Sequence, residues 1–131
     1  MSAVQEFLYS RLAADSGVNA LVGSSIFDAA QAGDLPELSV LIGGEEVLDA
    51  SDTTASARVH RAEVDIVARS GGFAQAKDTA DVIRAALNGA SGPAGAGQIT
   101  RCLFRRTQAL RDTSDGLRRI RMRFDIFFDG L

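Results

Sequence analysis

The side chains able to do chemistry are few. One histidine, His60, and one cysteine, Cys102, stand in 131 residues, so neither a disulfide nor a zinc site of cysteine and histidine ligands can be assembled within the chain. Nucleophilic catalysis needs a base beside the nucleophile and a third group to orient it. His60 instead sits between Val59 and Arg61 in a strand pattern, which reads as a surface or interface position. Cys102 alternates with Phe104, the pattern of a buried structural thiol rather than a reactive one. Glu45, Glu46, Asp49 and Asp52 cluster around a hairpin, and the chain has no tryptophan. That is a solvated loop, not a carboxylate pair flanking a sugar-binding cleft. Ser70, Gly71 and Gly72 precede a helix and would offer N–H groups to an anion. No phosphate-binding glycine signature accompanies them, so a turn with a helix cap is the better reading.

The concentrated feature is arginine. Arg101, Arg105, Arg106, Arg111, Arg118, Arg119, Arg121 and Arg123 crowd the C-terminal hairpin. Residues 1–96 hold 6 basic and 13 acidic side chains (net −7), and residues 97–131 hold 8 and 4 (net +4), within an overall charge of −3. Arginines on a sheet face can grip phosphates. Yet no aromatic interleaves with Arg119, Arg121 and Arg123, and the chain as a whole is acidic, unlike a dedicated nucleic-acid binder. An interface with another subunit or protein, using the N-terminal carboxylates as counter-charges, ranks ahead of a small α+β nucleic-acid-binding module built on the arginine hairpin. Opposite charges at two ends let identical copies meet head to tail. Arg101, Arg105, Arg119, Arg121 and Arg123 are the candidate interface residues.

The elements that must position these residues follow from periodicity. Val4, Phe7, Leu8 and Leu12 recur at helical spacing over residues 2–14. Asp15, Ser16 and Gly17 then stop the helix, with one further turn over residues 19–22. Residues 25–28 form a short strand, 29–37 a loop, and 38–48 a strand in which Gly43 and Gly44 predict a bulge or a close backbone approach. After a polar loop at 49–57, residues 58–69 alternate: Ala62, Val64, Ile66 and Ala68 face one way and Arg61, Glu63, Asp65 and Arg69 the other. Phe73, Ala76, Ala80, Ile83 and Leu87 stripe a helix over about 73–88. The glycine-rich run at 88–97 reads as a mobile connection. A strand over 98–111 and the turn DTSDG lead to the clearest strand, with Ile120, Met122, Phe124, Ile126 and Phe128 opposite Arg119, Arg121, Arg123 and Asp125. This order predicts one α+β domain: two helices packed on one face of a mainly antiparallel sheet of four or five strands, whose other face is charged.

At 46% hydrophobic and 24% charged residues the chain fits a single folding unit and not a disordered one. No apolar run approaches the roughly 18–20 residues of a membrane span, and Glu6 stands where a signal peptide would be cationic. The expectation is synthesis in the cytoplasm with no membrane partner.

The succession of pieces resembles a known family. An opening amphipathic helix, then ALVGSSIFDA, LSVLIGGEE, HRAEVDIVARSGGFAQAKDTADVIRAAL and LRDTSDGLRRIRMRFDIFF together resemble the tail-completion, or tail terminator, proteins of phages with long noncontractile tails. The likeness runs from about Val4 to Phe128. Its alanine-rich, arginine-over-lysine composition is similar to the versions carried by gene transfer agents, which are phage-derived particles. The resemblance implies a structural subunit without cofactor or catalytic residues. It implies a hexameric ring on the tail tube protein that stops tube growth and meets a head-tail connector or stopper protein, with sheets around a channel for double-stranded DNA and helices outside. Six copies would carry a charge of −18 from −3 each. For DNA to slide, Glu45, Glu46, Asp49 or Asp52 are expected toward the lumen or a partner and the hairpin arginines between subunits. The sequence equally allows the reverse, with arginines lining the lumen and holding the DNA end.

Overall fold

The computed structural model describes residues 2–29, 35–49, 57–69, 73–111 and 117–130. Three helices and six strands follow in the order α1 (Ala3–Ala14), α2 (Ser16–Val22), β1 (Ile26–Asp28), β2 (Leu38–Asp49), β3 (Ala57–Ala68), α3 (Ala74–Leu87), β4 (Gly92–Ala94), β5 (Gly97–Arg111) and β6 (Arg118–Asp129). The strands form one sheet ordered β1-β2-β3-β6-β5-β4. The α+β class expected from sequence holds, with one more helix and more strands than expected. The sheet is also mixed, because β1 runs parallel to β2.

Local chemistry explains the helices. Ser2 and Gln5 form a reciprocal capping box at the start of α1: the Gln5 backbone N–H donates to Ser2 Oγ at 3.2 Å and the Ser2 N–H donates to Gln5 Oε1 at 2.9 Å. Asp15 ends α1 and also begins α2, its Oδ1 accepting from the Val18 N–H at 3.0 Å. The Asp-Ser-Gly stop is therefore also the start of a seven-residue helix. A side chain at Gly17 would approach Val82 Cγ1 to 2.9 Å, so the missing Cβ lets α2 sit against α3.

The core lies between the helices and one sheet face. Val40 and Ile42 of β2, Ala62, Val64 and Ile66 of β3, and Ile120, Met122, Phe124 and Ile126 of β6 join Leu8, Leu12, Ile83 and Leu87 in one buried cluster. β3 and β6 pair antiparallel without a break from Ala57↔Asp129 to Ala68↔Arg118, so the two alternations read from sequence stay in phase. The predicted bulge occurs, with the β2–β3 register shifting between Ile42 and Glu45. The close approach occurs with it: a Cβ on Gly43 would lie 3.3 Å from the Glu63 carbonyl oxygen.

The glycine-rich run differs from expectation. It contains β4, which pairs with Gly97–Ile99 through a turn at Gly95 (φ 58°). Pairing with β5 supplies what the local composition lacks. The expected turns at 70–72 and 112–116 and the tip of the 49–57 loop lie outside the described residues.

Both outer strands are short. β1 covers β2 only at Val40–Ile42, and β4 covers β5 only at Gly97–Ile99. Just past β4, the turn after α3 takes over: the Gly89 N–H donates to the Cys102 carbonyl at 2.7 Å, and the Phe104 N–H donates to Asn88 Oδ1 at 3.0 Å. Among the described residues, no strand flanks the outer side of β2 from Glu45 to Asp49, whose inner side pairs with β3, or the outer side of β5 from Arg105 to Arg111, whose inner side pairs with β6.

Candidate functional site

The sheet face turned away from the helices carries a ladder of ion pairs. Cross-strand register places Arg61 opposite Asp125, Glu63 opposite Arg123 and Asp65 opposite Arg121. Each rung closes. Arg61 Nε reaches Asp125 Oδ1 at 3.2 Å, and Arg123 Nη2 reaches Glu63 Oε2 at 2.9 Å. Arg121 grips Asp65 with two parallel bonds, Nε to Oδ1 and Nη2 to Oδ2, both 3.0 Å, the geometry that suits a guanidinium to a carboxylate. Arg119 adds a longer contact to Asp65 at 3.4 Å, and Arg105 reaches Asp125 at 3.3 Å. The latter contact sits at a second bulge, where the β5–β6 register shifts between Phe104 and Arg106.

Asp65 and Asp125 are buried at 7% and 8% exposure, and each is bracketed by two arginines. Buried carboxylates of this kind remain acceptable only with charged partners. The hydrogen bond from Arg121 to Asp65, reinforced by the charges of Asp65 and Glu63, raises the pKa of Arg121 above its ordinary value despite partial burial. The guanidinium is fixed in its charged form.

The candidate residues thus separate by what each side chain touches. Arg119, Arg121 and Arg123 meet N-terminal carboxylates, as expected of them, and do so within their own chain. Arg105 is only partly engaged, its side chain 56% exposed. Arg101 lies on the same face of β5, its guanidinium 4.4 Å over the Phe127 ring. The acidic quartet is split by the bulge in β2. Glu46 pairs with Arg61 in register and shares the ladder face. Glu45 falls opposite Ala62 on the helix side, where its Oε2 lies 3.0 Å from His60 Nδ1. His60 also packs edge-on to Phe128, with ring centroids 5.5 Å apart, so the one histidine has a structural setting. The Asp49 side chain and Asp52 lie outside the described residues.

Two residues outside the candidate set, Arg106 of the arginine-rich hairpin and Val47, stand on the open strand segments. Arg106 donates to Gln108 Oε1 at 2.6 Å on the exposed part of β5, and Val47 is 52% exposed on β2. The signal for Val47 was an apolar residue inside an acidic run, and for Arg106 an arginine out of phase with its neighbours. Cys102 is fully buried, and burial pushes its thiol up to about 12. Among the described residues, no group of three His, Cys, Asp or Glu is placed to hold a metal ion, and no helix is long and apolar enough to cross a membrane.

The sequence matches the family model of tail completion protein gp17 over residues 6–129. Among solved structures, it is similar to a chain in the virion of a native gene transfer agent particle. The two share 35% identity with a TM-score of 0.87, over 97% of this chain and 95% of that one. Among curated proteins, none matches.

Proposed function

We infer the role of this chain from its family, for it belongs to the tail completion protein gp17 family and is a structural protein of phage-like tails. In this reading it is one subunit of a hexameric ring at the head-proximal end of the tail. The ring caps the tail tube protein, stops its elongation and joins it to the head-tail connector or stopper protein. Double-stranded DNA passes through the lumen without sequence specificity. The subunit acts by shape and charge, with no catalysis and no cofactor.

The observation that carries the DNA-channel part is the self-paired ladder. With helices outside, the ladder face turns to the lumen, and Arg61, Arg121 and Arg123 arrive already paired with Asp125, Asp65 and Glu63 of the same chain. A wall of fixed, alternating charges neither repels the DNA backbone nor exchanges its counterions for a tight grip. In this reading both signs line the channel, locked together. It also weighs against the arginine hairpin as a nucleic-acid-binding module, because three of its arginines are committed elsewhere.

Cells that make the particle but lack this chain test the reading. Electron microscopy should show overlong tails and unjoined, DNA-filled heads; tails of normal length joined to heads would overturn it. The purified protein should bind duplex DNA only weakly, with a shallow dependence on salt. Micromolar binding with a steep salt slope would favour the nucleic-acid module instead.

A further inference from the structure

We propose that the two open sheet edges, residues 45–49 of β2 and 105–110 of β5, pair with each other between neighbouring copies, so that the ring closes by strand addition. This rests on the ring reading above and names the surfaces that make the ring.

Four observations converge. First, both segments present unpaired backbone groups among the described residues, and an edge of this kind invites another strand. Second, the edges have opposite signs: Glu45, Glu46 and Asp49 on one, Arg105 and Arg106 with no acidic residue on the other. Like-charged edges repel, so a copy meets another copy only through unlike edges, which is the head-to-tail contact a ring needs. Third, the faces agree. Glu46 shares the ladder face with Arg106 and Gln108, while Val47 shares the helix face with Thr107 and Ala109. Pairing would cover the exposed Val47 and place Glu46 beside the arginines.

Fourth, the geometry fits closure. β2 and β3, β3 and β6, and β6 and β5 are each antiparallel, so β2 and β5 run in opposite directions. Copies set side by side in one orientation therefore form an antiparallel pair. Val47 aligns across the sheet with His60, Ile126 and Cys102, whereas the open part of β5 centres on Gln108, about six positions along. Pairing needs a stagger of about 20 Å along the strands. Four long strands at ~4.8 Å spacing occupy about 19 Å, and a strand tilt of about 45° in a closed barrel turns that width into an offset of the same size.

Charge reversal tests this in particle-producing cells whose own copy has been removed. Glu46→Arg sets an arginine against Arg106 of the next copy, and Arg106→Glu sets a carboxylate against Glu46 of the next copy, so each variant puts like charges at the centre of the contact. Supplied alone, each should lower the yield of capped, joined particles at least about tenfold, the effect of ~1.4 kcal/mol lost over the whole ring. Supplied together, the two should restore it, because the variants alternate around a ring of even number. Melting curves of the purified variants check that each is folded, as substitutions at exposed positions should leave them. Either single variant supporting normal assembly, or the mixture failing to rescue two defective singles, overturns the edge pairing. These failures are distinct from that of the ring reading, which falls, taking the edge pairing with it, when cells lacking the chain altogether still make joined tails of normal length.

Discussion

The two faces of the central β3–β6 pair share one register and are held by opposite means. Toward the helices, Ala62, Val64, Ile66, Ile120, Met122, Phe124 and Ile126 are essentially removed from water. Away from them, Arg61, Glu63, Asp65, Arg121, Arg123 and Asp125 pair rung by rung. Apolar packing is non-directional and scales with the area buried. Charge pairing is directional, screened by salt where exposed, and settles which strand lies opposite which. Stability should therefore reside chiefly in the first face, and register and surface chemistry in the second.

The hardest blow to this contrast is Phe124→Ala. Phe124 is fully buried and meets Phe104 edge-on with centroids 5.7 Å apart, so its truncation should cost about 3–5 kcal/mol in urea unfolding. A neutral result would mean that the helix-covered face is not where folding energy lies. On the opposite face, Arg121→Glu with Arg123→Glu places carboxylates beside Asp65 and Glu63. From sequence these arginines are candidates for an interface with another subunit. The ladder makes them part of the monomer, so the double variant should lose about 2 kcal/mol, kept modest because the two guanidinium side chains are 38% and 34% exposed and screened. The loss should shrink in high salt. A loss equal to that of Phe124→Ala, or one indifferent to salt, would erase the distinction between the faces.

The parts of this arrangement visible in the sequence are those where a single period ran long enough to dominate. The alternation in 58–69 and 119–128 and the stripe from Phe73 to Leu87 became β3, β6 and α3. The ladder was half visible: the charges stood on the predicted face, but which carboxylate each arginine meets depends on register across more than fifty residues. Arg121 and Asp65 are 56 positions apart, and no local pattern specifies that pairing. The misses have local causes too. Asp15 serves two helices, so a stop signal concealed a start. Gly92, Pro93 and Ala94 have no strand tendency and form β4 through β5. The bulge at Gly43 and Gly44 was foreseen, but not its effect of sending Glu45 and Glu46 to opposite faces.

A smaller effect separates helix α1 from both faces. Ser2→Ala removes one arm of the capping box and should lower stability by about 1 kcal/mol. Because α1 seats Leu8 and Leu12 in the core, the loss should appear as faster hydrogen exchange at the start of α1 before any global change. Uniform exchange along the chain would indicate that the cap matters only to the whole fold.

The mildest probe acts on a core residue through pH. Cys102 belongs to the helix-side face, and burial raises its thiol from the ordinary 9.0 to about 12. Between these values an unfolded chain releases the proton while the folded chain retains it. The folded state then binds more protons, and stability must fall as pH rises. Below pH 9 both states are protonated and this residue contributes no pH dependence. Cys102→Ala should therefore track the wild type at neutral pH, apart from a constant offset for the lost sulfur, and should fall less steeply above pH 9. The native thiol should also stay unmodified by an aqueous thiol reagent at pH 8 until the protein is unfolded. Rapid labelling, or parallel stability curves for the two proteins up to pH 11, would place Cys102 in contact with water and move the boundary between the dry face and the charged one.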